Sequence, residues 1–106
     1  MAEIAVGEAQ NGSSLTMTVG DELKLELPEN PTTGFRWQPG GIDDSILQPR
    51  TDDFVPAVGA AIGGGGRRLF RWAALRPGIT DVRLELKRPW EAAAPRSTFG
   101  IQVSVR

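Results

Sequence analysis

Apolar and polar residues alternate along most of this chain with a period of two. Leu15-Thr16-Met17-Thr18-Val19 begins the pattern, and Leu23-Lys24-Leu25-Glu26-Leu27 repeats it. Phe70-Arg71-Trp72-Ala73-Ala74 follows it again, with Leu69 the one apolar residue on the opposite face. Val82-Arg83-Leu84-Glu85-Leu86-Lys87 is the cleanest case, and Phe99-Gly100-Ile101-Gln102-Val103-Ser104-Val105 closes the series. Such alternation describes strands with one face in a core and the other in water. Helical spacing would mix charged and apolar residues on every face. The pattern predicts strands near 14–19, 21–27, 35–38, 46–54, 67–75, 79–87 and 98–105, with a short one at 4–6. Ile42–Phe54 is the least periodic stretch. Seven or eight short antiparallel strands in a chain of 106 residues read as an all-β, immunoglobulin-like sandwich, with Trp37 and Trp72 central in its core.

Gly and Pro mark the divisions. Asn11-Gly12 is a tight-turn dipeptide, and Arg76-Pro77-Gly78 suits a type II turn with Pro at the second position and Gly at the third. No repeat or linker divides the chain, so 1–106 reads as one domain.

Composition narrows the chemistry. There is no Cys and no His. Disulfides, thiolate or imidazole metal ligands and Ser–His or Cys–His catalysis are therefore absent. Twelve basic residues against thirteen acidic ones give a net charge of −1, which offers no overall field for nucleic acid or an anionic membrane. No apolar run approaches the roughly 20 residues that span a bilayer. The first residues, Met1-Ala2-Glu3-Ile4-Ala5-Val6, show no signal peptide, and a periplasmic, secreted or cytoplasmic setting all fit. A binding function is favoured over an enzymatic one, with no cofactor and no metal.

Three segments exceed what strand connection requires. Asn30-Pro31-Thr32-Thr33-Gly34 separates the second and third strands. Gly59-Ala60-Ala61-Ile62-Gly63-Gly64-Gly65-Gly66 precedes the fifth, and four consecutive glycines lose much entropy on ordering. Their physical use is close backbone approach to a partner. The following strand and the missing Lys-Ser/Thr argue against a phosphate loop. Arg88-Pro89-Trp90-Glu91 follows the cleanest strand and puts a Trp between charges on a Pro-stiffened loop. Exposed Trp and Arg dominate binding hot spots. In a seven-strand sandwich these are the B–C, D–E and F–G connections, which leave the same end.

In order, Asn30-Pro31-Thr32-Thr33-Gly34-Phe35-Arg36-Trp37, Gly63-Gly64-Gly65-Gly66 and Arg88-Pro89-Trp90 resemble the hallmarks of the chagasin-type inhibitors of papain-like cysteine proteases. The resemblance runs from about Leu15 to Val105. It implies a reversible, tight-binding inhibitor whose three loops enter the active-site cleft of a papain-like (cathepsin L-type) protease. Thr32 and its neighbours would lie over the enzyme's Cys–His pair, Gly63 to Gly66 along the non-primed subsites, and Trp90 on the primed side with Arg88 fixing its loop. The expected binding residues are Asn30, Pro31, Thr32, Thr33, Gly34, Phe35, Gly63, Gly64, Gly65, Gly66, Arg88, Pro89 and Trp90, presented by a monomer.

Two other readings stand beside it. A non-inhibitory adhesion or carbohydrate-binding module would stack Trp90 on a sugar face, with Arg88 and Glu91 nearby. A carboxylate hydrolase or metal site would rest on Asp43-Asp44 and Asp52-Asp53, whose adjacency is more typical of a solvated surface.

Overall fold

The computed structural model describes residues 2–57 and 65–106. These form strands β1 (Glu3–Val6), β2 (Ser14–Met17), β3 (Glu22–Glu29), β4 (Arg36–Gly40), β5 (Leu47–Pro56), β6 (Gly66–Ala74), β7 (Gly78–Lys87) and β8 (Ser97–Val105). Two four-stranded sheets result, ordered β1-β3-β6-β5 and β2-β8-β7-β4. Their facing sides carry the apolar phase of each alternation, giving the expected sandwich.

The core follows from that phase. Leu23 and Leu25 of β3 stand opposite Trp72 and Phe70 of β6. Leu27, Val82, Leu84, Ile101 and Val103 are buried with them. The Phe70 and Trp72 rings stack with centroids 5.6 Å apart at 18°. Each fully buried side chain of this size contributes about 1.5–3 kcal/mol. That burial replaces the disulfide that a cysteine-free sandwich lacks. Trp72 and Trp37 are both buried in the core as expected, and Trp37 donates its indole N–H to the Pro28 carbonyl at 2.8 Å.

Three local features differ from the pattern reading. β1 pairs with β3, and β2 with β8, in parallel, each at the edge of its sheet. Alternation fixes which face is buried but not the direction of the neighbouring strand. The irregular stretch 42–54 runs into β5, an edge strand mostly open to water, whose register shifts between Pro49 and Thr51. A bulge inverts the phase midway, which erases the period. Finally, Gly78 is not the third residue of a type II turn. It opens β7 with φ 157°, far from the roughly +80° such a turn needs, and a Cβ there would lie 2.6 Å from Ile46 Cδ1. Asn11-Gly12 does form a tight turn: Gly12 has φ 84°, and the Ser13 amide donates to the Gln10 carbonyl at 3.0 Å.

Candidate functional site: the loop end of the sandwich

The register places three connections at one end. Gly66, the first residue of β6, pairs with Glu29 at the end of β3 and with Pro56 at the end of β5. Arg36, which opens β4, pairs with Lys87, which ends β7. The strand ends that flank 30–35, 57–65 and 88–96 therefore all lie at the same end.

The first loop is closed by its own side chains. Pro31–Thr33 form one 3-10 turn with Asn30 as N-cap. Asn30 Oδ1 accepts from the Thr32 amide at 3.2 Å and from the Thr32 hydroxyl at 2.7 Å. The Thr33 hydroxyl donates to the Asn30 carbonyl at 2.7 Å and accepts from the Phe35 amide at 3.3 Å. Asn at the cap, Pro just inside it and Gly at the exit are the residues that such a turn selects. Gly34 is left-handed, with φ 80°. Both threonine hydroxyl protons are thus used within the loop, although Pro31, Thr32 and Thr33 are exposed.

The third loop is fastened to the first. Arg88 Nε donates to the Thr33 carbonyl at 2.9 Å, and its Nη1 reaches Glu91 at 3.0 Å. The same guanidinium lies 4.5 Å from the centroid of the Phe35 ring. Trp90 is 71% exposed, yet the edge of its ring rests on Gly34. A Cβ on Gly34 would overlap that ring, with Trp90 Cζ2 at 3.0 Å. Gly34 therefore serves twice, as the left-handed exit of one loop and as the seat of the other loop's tryptophan.

Of the polyglycine segment, Gly63 and Gly64 lie outside the described residues. Gly65 sits beside Asn30, 3.9 Å from its Cβ to a Cβ built on the glycine. Gly66 belongs to β6, and a side chain there would strike Val55 O and Phe54 Cζ. Its lack of a side chain has a reason within the fold.

Pattern reading missed the layer beneath the loops. Glu29 is 4% exposed and Arg68 7% exposed. Glu29 Oε2 accepts from Arg68 Nε at 2.9 Å and lies 2.8 Å from Nη2. Its Oε1 accepts the backbone N–H of Trp37 at 2.8 Å. One carboxylate thus ties the strand that enters the first loop to the strand that leaves it, and to the strand that follows the glycines. Arg68 also reaches Asp52 Oδ1 at 3.2 Å. A signal for the pair existed, since Glu29 continues the inward phase of Leu23, Leu25 and Leu27, and Arg68 that of Phe70 and Trp72.

One aspartate of each pair has a structural partner. Asp43 Oδ1 accepts from the Ser45 amide at 3.0 Å, closing a turn at the opposite end, and Asp52 faces Arg68. Among the described residues no cluster of acidic or other ligating side chains could hold a metal ion.

Residues 16–103 match the chagasin family peptidase inhibitor I42. The chain belongs to the chagasin family. It is 35% identical to chagasin of Trypanosoma cruzi over 89 residues, 80% of this chain and 81% of that protein. It is 25% identical to amoebiasin-1 of Entamoeba histolytica over 105 residues, 97% of this chain and 100% of the relative. The fold superposes on the cysteine protease inhibitor EhICP2 from Entamoeba histolytica with a TM-score of 0.88 at 23% identity, covering 99% and 96% of the two chains. It also matches PbICP-C, solved in complex with falcipain-2, with a TM-score of 0.72 at 17% identity over 100% of both chains. Members of the chagasin family are protease inhibitors rather than enzymes, which decides between the readings that the residues left open.

Proposed function

We propose that this protein is a reversible, competitive inhibitor of papain-like cysteine proteases, which it blocks by seating its loop end in the active-site cleft. The observation that carries the reading is the contact of exposed Trp90 with Gly34, which joins the Asn30–Phe35 and Arg88–Glu91 loops into one wedge. The first and third loops are held in place before binding: Asn30 closes the first, Arg88 clamps the third to it, and Pro31 and Pro89 limit both backbones. Such preorganisation lowers the entropy lost on association. Thr32 and Thr33 would cover the enzyme's Cys–His pair, Gly63 to Gly66 would lie along the non-primed side, and Trp90 would occupy the primed side. Inhibition requires no group that reacts. The wedge excludes substrate without holding a scissile carbonyl at attacking distance from the thiolate.

An interface of about 800 Å² per partner is typical of protease–inhibitor pairs. Nanomolar affinity then corresponds to about −12 kcal/mol. Steady-state assays against papain and cathepsin L test the reading. Competitive inhibition at nanomolar concentration supports it, and full protease activity at micromolar concentration of folded protein refutes it.

A further inference from the structure

The loop end also gathers like charge that the chain does not neutralise. Arg36 and Lys87 stand directly opposite each other on β4 and β7, a pairing that opposes sheet formation. Arg88 comes next in the chain. Arg96 is held close by, its backbone N–H donating to the Leu86 carbonyl at 2.8 Å. The guanidiniums of Arg88 and Arg96 both lie over the Phe35 ring, 4.5 and 5.1 Å from its centroid.

Carboxylates answer only part of this cluster. Glu85 lies 3.5 Å from Lys87, and Glu91 lies 3.0 Å from Arg88. Among the described residues neither Arg36 nor Arg96 has an ion-pair partner, and both are exposed. On the β3–β6 face several cations are neutralised: Lys24 and Arg67 share Glu26, and Arg71 meets Glu22. The whole chain has a net charge of −1, so this corner runs against the molecule's overall sign.

We propose that Arg36 and Lys87, paired across β4 and β7, together with Arg88 and Arg96, which lie over Phe35, form a docking surface for an acidic rim on the target protease, beside the cleft on the side that Trp90 enters. This rests on the inhibitory function proposed above and specifies the targets it fits best. The physical case is charge complementarity. Rim charges change encounter rate and partner choice more than they change dissociation. The Phe35 ring fixes two of the guanidiniums before contact, so less side-chain freedom is lost on docking.

Association and dissociation rate constants against papain and cathepsin L test this, measured from about 20 to about 400 mM NaCl, a range over which screening becomes strong. The unmodified protein is compared with Arg36→Glu/Arg96→Glu and with Arg76→Glu/Arg106→Glu, which changes net charge equally but at the opposite end. The expected result is association that quickens as salt falls. The loop-end reversal should slow it about tenfold at low salt with dissociation unchanged, and the control pair less than about twofold. Arg36→Gln/Arg96→Gln should show a smaller slowing of the same kind, with the melting temperature of all variants checked. Association that is insensitive to salt and to the loop-end reversal on both enzymes overturns the docking surface alone. Equal slowing by the control pair does so too, because net charge would then explain the effect. Absence of inhibition by the unmodified protein overturns the parent function as well.

Discussion

Both ends of the sandwich close turns by a side-chain oxygen that accepts backbone amides, but with different charge. At the far end, Asp21 accepts the amides of Ala2 and Thr18, each at 2.9 Å, and Asp43 accepts that of Ser45 at 3.0 Å. At the loop end the corresponding oxygen belongs to a carboxamide, Asn30, accepting from Thr32 at 3.2 Å. A carboxylate accepts an amide hydrogen bond more strongly than a carboxamide does. The far end therefore has the stronger closures, and the loop end has closures that add no negative charge. The loop end keeps its carboxylates paired: Glu29 is buried with Arg68 under the loops, and Glu91 on the third loop meets Arg88 at 3.0 Å. The contrast separates two demands on one fold. Turns that only connect strands are free to carry unpaired anions, whereas the loop-end turns either close with a neutral carboxamide or hold their anion against an arginine.

The sharpest way to break that distinction is to remove the hidden pair. Glu29→Leu leaves the buried Arg68 guanidinium with only the more exposed Asp52 at 3.2 Å, and should lower unfolding free energy by up to about 3–5 kcal/mol in urea titration. Combining it with Arg68→Met should recover most of that loss, because apolar side chains of similar volume often replace a buried pair without cost. Inhibition should stay weakened in the double variant, since Trp37 N–H has lost the acceptor that tied both stems of the first loop together. A double variant that is stable and inhibits normally would show that the pair supports only the fold.

Trp90 tests the surface above it. Trp90→Ala should weaken inhibition by about 2 kcal/mol or more, roughly 30-fold, while shifting the melting temperature little, because most of the ring is in water. Gly34→Ala comes next in size. A left-handed alanine costs about 1–2 kcal/mol, and its Cβ also displaces the Trp90 ring. Affinity should therefore fall further than stability does. Equal losses in both would mean that Gly34 matters only for its backbone angle.

How far these parts were readable from the chain differs for a physical reason. The period-two stretches named the core strands because burial on one face leaves a regular trace, as in Val82 to Lys87. β5 left none, since it lies at an edge and its phase shifts at Pro49. The first and third loops were visible because turn chemistry is local: Asn30, Pro31 and Gly34 each specify their own backbone. The Trp90–Gly34 seat and the Arg88–Thr33 clamp were not, since they join residues more than 50 positions apart. Glu29 and Arg68 lay on the inward phase of two strands, but only the pairing of β3 with β6 shows that the two charges meet.

Acid gives the mildest test and probes the far end. The amides of Ala2 and then Thr18 hold the Asp21 carboxyl below its ordinary value of 3.8, and the hydroxyl and then the amide of Ser45 do the same for Asp43. Because the folded values are depressed, their stabilisation is fully present above the ordinary aspartate range. It is lost as pH falls through the lowered folded values. Denaturation midpoints measured from pH 6 down to about pH 2 should therefore decline below about pH 4, and the decline should be shallower in Asp21→Asn/Asp43→Asn. Amide resonances near residues 18–21 and 43–46 should shift in the same range, while the Asn30-capped amide of Thr32 should move less, because no carboxylate closes that turn. Matching shifts at both ends would show that the loop end titrates too, and that the exchange of Asp for Asn does not set the two ends apart.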